Sequence, residues 1–151
     1  MDIQFPPFLQ KGDKVVIVSP SSKIDQQFLK GAKKRMESWG LKVAMGKYAG
    51  SSSGRYAGTI RQRLKDLQDA MDDPKVKAIL CSRGGYGAVH LIDKIDFTAF
   101  HEHPKWLLGF SDITALHNLF QKNGYVSLHS LMARHLTVEP EDDLCTNYLK
   151  D

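Results

Sequence analysis

The 151-residue sequence predicts an α/β fold: an open, mostly parallel five-stranded sheet with helices on both faces. Three observations carry this. Strand-like and helix-like patterns alternate along the chain. The runs at 14–18 and 76–81 are almost wholly apolar, as strands buried on both faces are. The segments between them carry apolar residues on a single stripe at helical spacing.

The elements follow in order. Lys14-Val15-Val16-Ile17-Val18 is the first strand, preceded by Gly12-Asp13 and stopped by Ser19-Pro20. A helix over about 25–39 places Phe28, Leu29, Ala32, Met36 and Trp39 on one stripe, and Gly40 ends it. Residues 41–45 form a short second strand. Residues 49–58, rich in Gly and Ser, read as a mobile surface loop. The cleanest helix spans 59–72, with Ile60, Leu64, Leu67 and Met71 on one face, Thr59 as N-cap and Pro74 closing it. Residues 76–81 are the third strand, and a glycine-rich turn at 83–87 leads into a short helix through Leu91. Residues 106–109 are the fourth strand, 112–122 the next helix with Gly124 at its end, and 125–128 the fifth strand. The tail from Glu139 is acidic and weakly patterned.

Composition bounds the function. Apolar content of 42% and charged content of 25% are those of a soluble globular domain. The net charge of +4 is mild, and the densest basic group (Lys30, Lys33, Lys34, Arg35) sits on one amphipathic helix beside Glu37. That is a solvated helix face rather than a nucleic-acid footprint. Cys81 and Cys145 make neither a disulfide framework nor a metal cluster, and no cofactor motif is complete. No apolar run approaches the length of a membrane span. The start, Met1-Asp2-Ile3-Gln4-Phe5-Pro6-Pro7, lacks a charged region followed by an apolar one, so the expected compartment is the cytoplasm.

In open parallel sheets ligands bind beyond the carboxyl ends of the strands. Those ends hold Ser21 and Ser22, the turn Arg83-Gly84-Gly85-Tyr86-Gly87, Ser111 and His129. The segment Trp106-Leu107-Leu108-Gly109-Phe110-Ser111-Asp112 passes at once from a strand pattern into a helical one. A serine there is either a helix cap or a nucleophile on a tight turn, with free backbone N–H groups beside it for an oxyanion. The second glycine of Gly-x-Ser-x-Gly is replaced by Ile113. The glycine-rich turn suits an oxyanion or a phosphate, since glycines admit close backbone approach. A dinucleotide fingerprint fails at His90, and no Walker loop follows. Arg83 can orient a substrate carboxylate. A serine nucleophile also needs a base. His101 and His103 fall in the linker before the fourth strand. His117, six residues beyond Ser111, is turned by roughly 240° and raised by about 9 Å on a helix, which directs it away. His129 ends the neighbouring strand and is the only histidine placed sensibly.

The residues Arg83-Gly84-Gly85-Tyr86-Gly87 followed by Gly109-Phe110-Ser111-Asp112, with the opening Gly12-Asp13-Lys14-Val15-Val16-Ile17-Val18-Ser19-Pro20 and the helix bearing Arg61, Arg63, Leu64, Asp66 and Leu67, resemble the LD-carboxypeptidases. These are the S66 serine peptidases, muramoyltetrapeptide carboxypeptidases that include the microcin C self-immunity peptidases. The resemblance spans about residues 10–136 and implies a flavodoxin-like or class I glutamine amidotransferase-like sheet. It implies Ser111 as nucleophile and backbone N–H groups of Gly85 and Asp112 as the oxyanion hole. Arg83, Gly84, Tyr86 and His129, at the same sheet edge, are the expected substrate-binding residues, and no metal or cofactor is expected. It further implies that residues 1–151 are an N-terminal domain only. The family's catalytic Glu and His belong to a C-terminal domain absent from this chain. The expected substrate is a murein tetrapeptide that loses its terminal D-alanine. A microcin-like amide and a non-enzymatic phosphate or nucleotide site are the alternatives. The expected partners are that C-terminal domain and a second copy in a homodimer.

Overall fold

A computed structural model of the chain describes residues 3–151. Met1 and Asp2, the first two residues of the segment read for a leader, lie outside the described residues. Five parallel strands form one sheet: β1 (Lys14–Val18), β2 (Lys42–Met45), β3 (Val76–Cys81), β4 (Trp106–Gly109) and β5 (Leu128–His129), in the order β2-β1-β3-β4-β5. This is the flavodoxin-like order, and the sheet is parallel throughout. The strand order reverses between β1 and β3, so the crevice beyond their carboxyl ends is where such a sheet takes a ligand.

Alternation along β1 divides the core in two. Val15 and Ile17 pack with Ala78, Leu80 and Leu108 beneath helices α1 (Gln26–Ser38) and α5 (Ala133–Val138). Val16 and Val18 pack with Ile79, Cys81 and Leu107 beneath α2 (Ile60–Asp72) and α4 (Thr114–Lys122). Both faces are buried, which is why β1 reads as a continuous apolar run. Ile17, with no exposed surface, contributes roughly 1.5–3 kcal/mol by burial alone. Helix α1 is capped by Asp25, and α2 by a capping box in which Thr59 and Gln62 exchange hydrogen bonds. The carboxyl end of α2 is satisfied from inside: Lys105, fully buried, donates to the carbonyls of Ala70, Met71 and Asp73 at 3.2, 2.7 and 2.7 Å. Burial pushes its ammonium pKa down to about 8.

Three expectations need correction. The fifth strand is Leu128–His129 rather than 125–128. Tyr125 pairs instead with the amino-terminal segment: Gln4 N–H donates to Gly124 O and Val126 N–H to Gln4 O. The weakly patterned tail carries regular structure. Beyond α5, a further helix α6 (Leu144–Lys150) starts at Asp143, whose carboxylate accepts from Thr146 N–H at 2.8 Å. The loop at 49–58 is tied down over the sheet edge: Ala57 N–H donates to Ser21 O and Lys23 N–H to Arg55 O, with Ala49 and Ala57 buried. A short helix, α3 (Thr98–Glu102), precedes β4. No helix among the described residues is long and apolar enough to cross a membrane.

Candidate active site

The chain turns sharply after β4. Ser111 has φ 61°, the only positive φ among the described residues other than glycines. A non-glycine residue held in the left-handed region costs about 1–3 kcal/mol, so the surrounding structure must impose it. A single turn of 3₁₀-helix, Ser111–Ile113, follows and runs into α4. Ser111 is exposed, and its hydroxyl makes no hydrogen bond to any described residue. Neither Ser111 nor Asp112 caps a helix with its side chain. The capping alternative is thereby removed.

Asp112 braces the site instead. Its Oδ2 accepts from Ser21 Oγ at 2.7 Å and from Ala88 N–H at 3.0 Å. One carboxylate thus joins the loops after β1, β3 and β4. Arg63 adds a second brace. It is 2% exposed, and its guanidinium donates to the carbonyls of Pro20 at 2.6 Å, Gly87 at 2.8 Å and Gly58 at 3.3 Å. Burial lowers its pKa, and the nearby charge of Asp112 offsets part of that. Ser19 Oγ and Ser82 Oγ, 2.6 Å apart, join the ends of β1 and β3 from below. Apart from the bond to Gly58, these contacts link residues 24 to 91 positions apart along the chain.

The glycine turn presses against the serine. A Cβ at Gly84 would lie 2.9 Å from Ser111 Cβ, 3.0 Å from its Oγ and 3.2 Å from Asp112 N, so only glycine fits. Gly85 has φ +97°, and a Cβ there would collide with Ser22 Oγ. The Gly84 carbonyl accepts from Ser22 N–H at 3.2 Å, toward β1. In a trans peptide the next N–H points the opposite way. The next N–H is that of Gly85, a residue that lines the same cavity as Ser111. Neither it nor the Asp112 N–H donates to any described residue. Two backbone N–H groups without a partner among the described residues thus belong to the turns that carry Gly84 and Ser111, and such donors can hold an oxyanion where they converge on it.

The other expected site residues are less closely gathered. Ser111, Gly84, Gly85 and Arg83 line one cavity of about 500 Å³. His129 does not line it. It stands exposed in a neighbouring cavity of about 430 Å³ that shares Phe110 and His135 with the first. Tyr86 projects outward, 44% exposed, with its ring edge-on to His90 and Arg55 above it. His117 corrects the helical-wheel expectation. Its ring does not swing clear of the turn but folds back onto β4, Nε2 lying 2.9 Å from Gly109 O and Nδ1 2.6 Å from Ser127 Oγ. A carbonyl only accepts, so Nε2 carries the proton and neutral Nδ1 accepts from Ser127. Burial lowers its pKa, with Gly109 opposing and His129 reinforcing the shift. It positions the strand end and is not free to serve Ser111. No group of three or more His, Cys, Asp or Glu among the described residues could hold a metal.

The fold and site together define a parallel α/β domain that places a serine of left-handed φ at a strand-to-helix turn, against a glycine turn. Residues 15–130 match the Peptidase S66 family model, described as the LD-carboxypeptidase N-terminal domain. The chain belongs to this family. It is 40% identical over 128 residues to the probable murein peptide carboxypeptidase of Bacillus subtilis, covering 84% of this chain and 40% of that protein. It is 33% identical to the murein tetrapeptide carboxypeptidase of Pseudomonas aeruginosa, covering 84% of this chain and 42% of that protein. The crystal structure of an MccF-like protein from Bacillus anthracis superposes with TM-score 0.89 at 32% identity, covering 97% of this chain and 46% of that one. The chain thus spans under half the length of these relatives.

Proposed function

We propose that the chain is the nucleophile-bearing N-terminal domain of a cytoplasmic serine carboxypeptidase that releases terminal D-alanine from murein tetrapeptides. The single observation that carries this reading is Ser111 at φ 61° with an unpartnered hydroxyl against Gly84. In this mechanism Ser111 Oγ attacks the carbonyl carbon of the amide between an L-configured centre and D-alanine. The N–H groups of Gly85 and Asp112 hold the oxyanion. A base takes the serine proton and passes it to the departing amine nitrogen, leaving an acyl-serine ester that water hydrolyses.

The base is assigned to a Glu and a His in a C-terminal domain following Asp151. Ser111 makes no hydrogen bond to a described histidine, and His117 is engaged elsewhere. The names of the relatives from Bacillus subtilis and Pseudomonas aeruginosa support the murein substrate. The likeness to the MccF-like structure supports a second reading, a self-immunity peptidase using the same serine on an aminoacyl-nucleotide amide.

The test is turnover by the complete protein of an L,D-linked tetrapeptide and, separately, of an aminoacyl-nucleotide amide. Release of D-alanine that Ser111→Ala abolishes supports the first reading, and exclusive cleavage of the nucleotide amide supports the second. Normal turnover by Ser111→Ala overturns both. Residues 1–151 alone should be nearly inactive, because a serine without a base is a weak nucleophile. Release of D-alanine by this chain alone, abolished by His129→Ala, would overturn the assignment of the base.

A further inference from the structure

The cavity beside Ser111 carries charge that the proposed chemistry does not use. Arg83 from the end of β3 and Arg134 from α5 both line it, and Asp25 is its only carboxylate. Asp25 is committed as the N-cap of α1, accepting from Gln27 N–H at 3.1 Å. Arg83 is oriented by one hydrogen bond to Lys23 O at 2.8 Å, which leaves most of its five-donor guanidinium free. Arg134 makes no hydrogen bond to a described residue, and no carboxylate among them pairs with either arginine. The helix bearing Arg134 is held firmly. Ala133 N–H donates to Ser82 O at 3.2 Å, and Thr137 Oγ1 to Phe28 O at 2.9 Å. The rest of the wall is largely apolar, with Phe28, Phe110 and Met132.

Two unpaired guanidinium groups over an apolar wall complement a carboxylate carrying a short apolar side chain, since arginine presents a planar fork matched to carboxylate oxygens. Distance adds a constraint. In a chain cleaved at its last amide, only the nitrogen and Cα of the final residue separate the attacked carbon from the terminal carboxylate carbon. That is a reach of about 4 Å. A group that reads the carboxylate must therefore stand in the same cavity as the nucleophile, where both arginines stand. We propose that Arg134, together with Arg83, binds the free α-carboxylate of the substrate's last residue and so restricts the site to chain ends. The inference rests on the proposed function in one respect, that this cavity receives the residue to be released.

The test compares two ligands that differ only at the terminus: an L-lysyl-D-alanine peptide and its carboxamide. Binding is measured by calorimetry to the complete protein carrying Ser111→Ala, so that hydrolysis does not intervene. The acid should bind at least about tenfold more tightly than the amide. Adding Arg134→Ala should remove most of that ratio, weakening the acid far more than the amide. Arg134→Lys should restore part of it, since lysine keeps the charge but not the fork. Arg134→Gln serves as a second neutral variant if the alanine protein does not fold. Equal affinity for acid and amide, no measurable binding of the acid, or an unchanged ratio in a folded neutral variant would overturn the proposal. The ratio does not depend on whether Ser111 is the nucleophile. Loss of the nucleophile assignment in the turnover assay and loss of this inference are therefore separate results.

Discussion

Gly84 stands so close to Ser111 that its missing side chain is part of the site: a Cβ there would lie 3.0 Å from the serine Oγ. Gly84→Ala should fold, because the clash is confined to the turns beyond β3 and β4 and leaves the two core faces of the sheet untouched, but it should push Ser111 off its position. Misplacement of about 1 Å can cost on the order of 10²-fold in rate. Turnover by the complete Gly84→Ala protein should fall by about that factor. Unimpaired turnover would show that the contact is not needed.

The Asp112 carboxylate joins Ser21 and Ala88 across three strand ends. Asp112→Ala keeps the backbone N–H and removes both links. Hydrogen bonds to a charged group contribute about 1.5–3 kcal/mol each, so urea denaturation should show a loss of roughly that order. Turnover should fall with it, since the elbow and the glycine turn lose their common anchor. A variant as stable as the parent would mean that Arg63 alone holds the turns together.

Replacing the Gly84–Gly85 amide with an ester removes one proposed donor while keeping the chain geometry. Gly85→Pro is less clean, because φ +97° lies far from the proline value. Loss of a single oxyanion donor costs on the order of 10² to 10³ in turnover. A fully active ester protein would reassign the hole.

His117 makes stability depend on pH. Its folded pKa is depressed below the ordinary 6.5, chiefly by burial. Between the two values the unfolded chain binds the extra proton and the folded chain does not, so stability rises with pH through that window. Acidification from pH 7 should therefore lower stability as the pH passes below about 6.5. In His117→Gln, which keeps an N–H for Gly109 O, that component should vanish. Identical pH profiles for parent and variant would show that the two states bind the proton equally.

Lys105 is the internal cap of α2. Lys105→Met fills the space but leaves the Ala70 and Met71 carbonyls without their donor, while Asp73 O keeps Val76 N–H, and orphaned buried groups cost about 1–3 kcal/mol each. The midpoint of urea unfolding should drop accordingly, without a change in its slope. The parent should also gain stability as pH rises from about 8 toward 10.5, because its folded pKa is lowered, and Lys105→Met should lack that gain.

What the sequence determined by itself is local. β1, β3 and β4 were readable to the residue because a strand buried on both faces must be apolar along its length. Thr59 as N-cap and the stripe of Ile60, Leu64, Leu67 and Met71 behind it announced α2, and the return bond from Gln62 emerged with the structure. The switch from strand to helix at Ser111 was visible for the same reason, although its left-handed φ was not. Helix α6 buries only Thr146, so the sequence carries no apolar stripe that marks it. Only the tertiary structure decided the rest. The pairing of Tyr125 with Gln4 shortened β5, and no periodicity within 125–129 records a partner over a hundred residues away. Helix α5 has no side-chain cap and exists because it packs on α1, which is what delivers Arg134 to the cavity. Asp112 and Arg63 look like ordinary polar residues in sequence. Their roles come from hydrogen bonds to loops brought together by parallel pairing, and a bond between residues 91 positions apart leaves no pattern in either neighbourhood.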